Sequence, residues 1–130
     1  MSVEIPLDYA HIFNAASNGM AFTEEGTGKI LDVNAAWIRA TGIAREHAIG
    51  RTAFELGLWT GQADREACLA ELGKNGHLVD FESRLRMKSA ELLYSISAQF
   101  DEMAGKQCVL WVFRDITERK RAEEALKESE

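Results

Sequence analysis

Cysteine, histidine, net positive charge and long apolar runs are all scarce in this chain, and each scarcity closes off a function. Cys68 and Cys108 are the only cysteines. With no Cys-x-x-Cys pair and no dense framework, they read as reduced thiols packed in an interior. A reducing compartment follows, and the cytoplasm is the expected location. The histidines His11, His47 and His77 do not combine with the cysteines or carboxylates in zinc spacing. No apolar run nears the ~20 residues of a membrane span. The longest, Cys108 to Phe113, is strand-sized. Residues 1–7 lack a basic region ahead of an apolar core, so no signal peptide is read there. Fifteen basic against 21 acidic residues leave a net charge of −6. A nucleic-acid partner, which needs a concentrated basic face, is therefore not expected. A Walker loop, a GxGxxG turn and a nucleophile–base–orienter grouping are all missing, so the chain does not read as an enzyme.

What is present fits one compact α+β domain of 130 residues. Leu7 to Ala16 has helical spacing after Pro6, and Ser17-Asn18-Gly19 ends it. Met20 to Thr23 and Ile30 to Val33 form a hairpin around Glu25-Gly26-Thr27-Gly28. Asn34 is placed to cap a helix over residues 35–41, and Gly42 to stop it. Short helical pieces are expected at 45–49 and 53–58. A longer one is expected at 63–74, with Ala67, Leu69, Ala70 and Leu72 as its packing positions. The period then changes. Val79, Phe81, Ser83, Leu85 and Met87 alternate with charged residues, and Lys88 to Glu91 makes a turn. Leu92, Tyr94, Ile96, Ala98 and Phe100 alternate with Leu93, Ser95, Ser97, Gln99 and Asp101. After Ala104-Gly105, residues 107–114 form a last strand that is apolar on both faces. Helices cover one sheet face, so the other also needs a cover, either the N-terminal helix or a second subunit.

Residues 115–130 are strongly helical in propensity. Asp115 and Glu118 stand at capping-box spacing, and Ile116, Ala122, Ala125 and Leu126 form a thin apolar stripe. The expectation is the start of a two-stranded coiled coil that continues beyond this segment, against a solvated terminal helix.

Three stretches carry a family likeness. The run Gly28-Lys29-Ile30, Val33-Asn34-Ala35-Ala36-Trp37, Thr41-Gly42 and Glu46-His47-Ala48-Ile49-Gly50-Arg51 resembles the N-terminal half of bacterial PAS domains. Phe81 to Arg86 resembles their third strand, and Asp115-Ile116-Thr117-Glu118-Arg119-Lys120 their Asp-Ile-Thr motif. The resemblance implies a five-stranded antiparallel sheet with helices on one face, enclosing a small cavity, and a C-terminal signalling helix. It divides the chain into a lead-in at 1–8, a core at 9–115 and an outgoing helix at 116–130. It implies a sensory module of a signalling protein such as a histidine kinase or a cyclic-dinucleotide enzyme. Asp115 and Thr117 would tie the last strand to that helix.

By the same resemblance Leu85, Ser95, Ser97, Trp111 and Phe113 face the cavity, and Trp37 and Trp59 line its helical wall. Two outcomes stay open there. A small molecule fills the cavity, oriented by the serine hydroxyls, or side chains fill it and the serines bond nearby groups. In the second case the domain is a ligand-free dimerisation and relay module. Flavin-adduct members carry a cysteine soon after Gly-Arg; here Ala53 holds that place, so adduct photochemistry is not expected, and only non-covalent flavin binding stays open. Haem would need an axial histidine, for which His77 with Met87 is the available pair. A homodimer is expected through the apolar sheet face, the N-terminal helix or the C-terminal helix.

Overall fold

The computed structural model describes residues 9–103 and 105–129. Its elements follow the order α1 (Tyr9–Ala15), β1 (Gly19–Glu24), β2 (Ile30–Val33), α2 (Ala35–Thr41), α3 (Arg45–Ala48) and α4 (Gln62–Asn75). Then come β3 (His77–Met87), β4 (Ala90–Met103), β5 (Lys106–Asp115) and α5 (Thr117–Glu128). The five strands form one antiparallel sheet in the order β2-β1-β5-β4-β3. The last strand of the meander thus lies at the centre, beside the first. A central β5 must be buried on both sides, which is why its sequence is apolar on both faces.

The inner sheet face carries Ala21, Val33, Leu85, Met87, Ile96, Ala98, Val109 and Trp111, packed with Trp37, Ala48, Leu58, Cys68 and Leu72 from the helical layer. The outer face is covered by α1 at the β1–β5 end, where Phe13 packs with Phe22 and Cys108. The Phe13 and Phe22 ring centroids are 5.5 Å apart. The N-terminal helix is thus the cover for this part of the second face. Pro6, Leu7 and the 1–8 lead-in lie outside the described residues, as does Ala104 of the last turn.

Asn34 is the joint of the N-terminal half. It is fully buried, and its Oδ1 accepts from the Met20 and Trp37 amides at 2.8 and 2.9 Å. Its Nδ2 donates to the Phe13 and Asn18 carbonyls, both at 3.0 Å. One side chain thereby caps α2 and fixes both α1 and the start of β1. Gly42 ends α2 at φ 74, its amide donating to the Ile38 carbonyl.

Several expectations need correction. The expected helix at 53–58 is absent, and residues 53–57 form turns instead. Gly57 sits at φ 73, a value no helix accommodates, and the Thr52 hydroxyl draws the Glu55 amide into a tight local turn. In α4 the packed positions are Cys68 and Leu72, whereas Ala67, Leu69 and Ala70 are exposed. In β3 the alternation breaks at a bulge between Leu78 and Phe81, with Asp80 at φ 51. Leu78 is therefore buried and Val79 turned outward. The 88–91 turn is only Lys88-Ser89, Lys88 lying at φ 54. Ile116, read as part of the α5 stripe, is buried ahead of the helix instead.

Candidate functional site

A cavity of about 350 Å³ lies between the inner sheet face and the helical layer. Its inner wall is apolar: Ala21, Ile30, Trp37, Leu58, Trp59, Leu72, Leu85, Met87, Val109, Trp111 and Phe113. All three tryptophans of the chain are among them. The segment after Arg51 closes over the cavity because it is pinned to β3. The Arg86 amide donates to the Leu58 carbonyl at 2.8 Å, Trp59 bridges to Leu85, and the Thr60 hydroxyl donates to the Arg84 carbonyl. The remaining lining comes from the hairpin turn at 24–28, Thr52, Ala53, Phe54, Arg65, Leu69, Gly73 and Phe100. Phe54, Leu69 and Phe100 are exposed, so they mark an apolar mouth. The Arg65 guanidinium lies 5.3 Å from the Phe54 ring centroid.

Of the expected cavity residues, Leu85, Trp111, Phe113, Trp37 and Trp59 come together on this wall. Ser95 and Ser97 do not. Ile96 pairs with Phe113 and Ala98 with Trp111 across the β4–β5 ladder, so the serines between them point to the other face. There the β3 bulge occupies them. Ser95 donates to the Asp80 carboxylate at 3.0 Å, and Ser97 Oγ accepts from the Asp80 amide at 3.1 Å. Sequence reasoning had passed over Thr23, which lies on the cavity wall and accepts from the Trp111 indole N–H at 2.9 Å. Its signal was the alternation of Ala21 and Thr23 along β1.

The paired-ligand reading for haem does not survive the fold. His77 and Met87 stand at opposite ends of the 11-residue β3, roughly 30 Å apart at ~3.3 Å per residue. His77, His11 and His47 are all exposed. Ala53 does line the cavity, at the place where the resemblance puts the adduct thiol. Both cysteines are buried in the two packing clusters. Burial, with Asp64 and Glu71 nearby, pushes the Cys68 thiol up to about 12. That is the opposite of an activated thiolate.

The last strand leads directly into α5 through a hydrogen-bonded joint. Asp115 Oδ1 accepts from the Thr117 amide at 2.9 Å, an Asx-type turn rather than the reciprocal capping box expected with Glu118. The Thr117 hydroxyl accepts from the Leu93 amide at 3.2 Å and donates to the Leu93 carbonyl at 3.4 Å. The Ile116 amide donates to the same carbonyl at 3.0 Å. Beyond the joint, Arg119 and Lys120 reach Glu82 of β3 at 3.3 and 3.4 Å. A second pocket of about 190 Å³ touches this joint at Asp115, beside Tyr94. Burial, then the Asp115 carboxylate, hold the Tyr94 phenol above its ordinary range. Trp37, Met87 and Phe113 line both this pocket and the large cavity. They form the partition between the two.

A family model described as the PAS fold matches residues 13–121, and the chain belongs to that family. No relative matches among curated protein sequences. Solved structures agree on the fold. The PAS domain of a Colwellia psychrerythraea protein is 21% identical with a TM-score of 0.70, over 84% of this chain and 94% of that one. A PAS domain from a two-component sensor histidine kinase is 19% identical with a TM-score of 0.67, over 82% and 91%. The third is the PAS domain, in complex with ethanol, of a LuxR-family transcriptional regulator from Burkholderia thailandensis. It is 19% identical with a TM-score of 0.67, over 85% and 98%.

Proposed function

We propose that residues 9–115 sense a small apolar molecule in the cavity, and that α5 relays its presence to the output domain of a larger signalling protein. The supporting observation is the shared partition. Trp37, Met87 and Phe113 touch the cavity on one side and the pocket at Asp115 on the other. Phe113 and Asp115 lie two residues apart on the same strand face, so a shift of the ring is felt at the joint. The joint's hydrogen bonds contribute about 1 kcal/mol each. A ligand that binds two arrangements of the partition with different affinity can bias it on that scale.

The module is regulatory rather than catalytic in this reading: no histidine or cysteine lines the cavity, and its titratable groups sit at the mouth. A histidine kinase is the favoured output, on the likeness to the kinase PAS domain, with a cyclic-dinucleotide enzyme as the alternative. The buried thiols and the absence, among the described residues, of a helix long and apolar enough to cross a membrane are in keeping with a cytoplasmic module. A homodimer through α5 is favoured by its exposed Ala122, Ala125 and Leu126.

Native mass spectrometry of protein purified from its source cells, with an absorption spectrum of the same sample, tests the sensing role. The expected result is a bound mass below the size of haem or flavin and no visible band. A clean apo mass, unchanged after addition of cell extract metabolites, would favour the ligand-free relay module instead.

A further inference from the structure

Three threonines line the cavity, and their hydroxyl protons are not equally spent. Thr27 donates to the Glu24 carboxylate at 2.8 Å, and Thr52 donates to Glu55 at 3.3 Å. Thr23 lies deeper, 9% exposed. Its oxygen accepts from the Trp111 indole at 2.9 Å, but its own proton meets no acceptor among the described residues. A buried donor facing an apolar cavity without an acceptor is costly. An acceptor atom brought in by a ligand removes that cost and completes a chain from the indole N–H through the hydroxyl, in which each bond strengthens the next.

Shape and charge narrow the ligand further. The Trp111 and Phe113 rings lie nearly parallel, 9° between planes and 6.4 Å between centroids, and with Trp37 and Trp59 they give the cavity aromatic walls. A volume of about 350 Å³ falls at the lower end of the ~300–1,000 Å³ of ligand pockets. Among the described residues the interior offers no charged group. The mouth carries Glu24 and Glu25 against Arg65 alone, which disfavours an anion. We propose that this cavity, on the sensory reading above, takes a neutral molecule of one or two aromatic rings with a single acceptor oxygen that receives the Thr23 hydroxyl proton.

Two probes of one skeleton test this: 2-acetylnaphthalene, which has a carbonyl acceptor, and 2-ethylnaphthalene, which has none. Binding is followed by calorimetry and by the fluorescence of the three tryptophans. The ketone is expected to bind roughly fivefold more tightly, the size of one ordinary hydrogen bond. Thr23→Ser retains the preference and Thr23→Val erases it. Because Thr23→Val also strips the indole of its acceptor and can loosen the fold, the infrared carbonyl band of the ketone bound to the unaltered protein supplies a second readout. It is expected at its hydrogen-bonded position. Equal binding of the two probes, or an unshifted carbonyl band, overturns the role of Thr23 while leaving the cavity a ligand site. Failure of both probes to bind the folded protein overturns the ligand class, while the sensory reading itself stands or falls on the native mass.

Discussion

Asn34 concentrates more of this fold in one side chain than any other described polar residue. Its amide group makes four hydrogen bonds while fully buried. Asn34→Ala removes the α2 cap and leaves two amides and two carbonyls to find other partners. A helix cap alone is worth ~1 kcal/mol, and buried groups left unpaired cost about 1–3 kcal/mol each. The expected loss is therefore about 3 kcal/mol or more, read as a lower urea midpoint at unchanged slope. Asn34→Asp keeps the two acceptor contacts but turns a carboxylate oxygen on the Phe13 and Asn18 carbonyls, so at neutral pH it is expected to cost at least as much. Cys68 gives a prediction of a different kind. Its thiol holds its proton to about 12 in the folded protein, against ~8.5 in an unfolded chain. Between those values the folded state binds more protons than the unfolded one, so stability falls as pH rises. The contribution is complete below pH ~8.5 and lost progressively towards 12. Urea midpoints taken from pH 7.5 to 10.5 should decline more steeply for the natural protein than for Cys68→Ala.

At the scale of elements, α5 depends on its joint. Its 12 residues bury nothing, and an isolated helix of this length is marginal in water. The Asp115–Thr117 turn and the bonds to Leu93 supply the nucleus. The double substitution Asp115→Ala with Thr117→Val removes three bonds and should speed hydrogen exchange of the α5 amides by roughly a hundredfold, at about 1 kcal/mol per bond lost. Exchange in the sheet should be unchanged; faster exchange across β4 and β5 as well would show that the joint supports the core instead. The same elements show what was legible beforehand. The hairpin, the Asn34 cap, Gly42, the three-strand meander and the two-faced last strand were readable, because each is a local pattern of turn chemistry or alternation. The β3 bulge was not, since nothing in Leu78-Val79-Asp80 distinguishes a strand that skips a residue. The packing face of α4 was misread because its apolar residues do not form one stripe: Cys68 and Leu72 face inward, four apart, while Leu69 faces the cavity mouth. For Ser95 and Ser97 the sequence held the right answer. Leu92, Tyr94, Ile96 and Ala98 already defined the core side of β4, and the register borrowed from the resemblance set that alternation aside. The cavity itself is a matter of how α2, the 52–59 segment and α4 stand off the sheet, which no periodicity reports.

The whole molecule presents two apolar surfaces that are covered to different degrees, and this decides how copies of it should meet. On the outer sheet face Phe13 already seals Phe22 and Cys108, with Met20, Leu31 and Leu110 packed around them. The rest of that face along β3 is charged, with Glu82, Arg84 and Arg86 exposed. On α5, by contrast, Leu126 is 67% exposed, in line with Ala122 and Ala125. A net charge of −6 opposes association, so a dimer needs a specific apolar seam. Leu126→Glu places a charge in that seam and is expected to weaken the proposed dimer at least tenfold in sedimentation equilibrium, since a buried unpaired charge costs well over 1.4 kcal/mol. Its melting temperature should not change, because Leu126 contacts no core. Phe13→Ala is expected to act in the opposite sense. It lowers stability by about 3 kcal/mol and uncovers the β1–β5 face, so self-association rises. A dimer that survives Leu126→Glu but dissociates on Ile12→Glu would move the seam to α1, whose Ile12 is 54% exposed. In the proposed relay, α5 would then be free to move without parting the two copies.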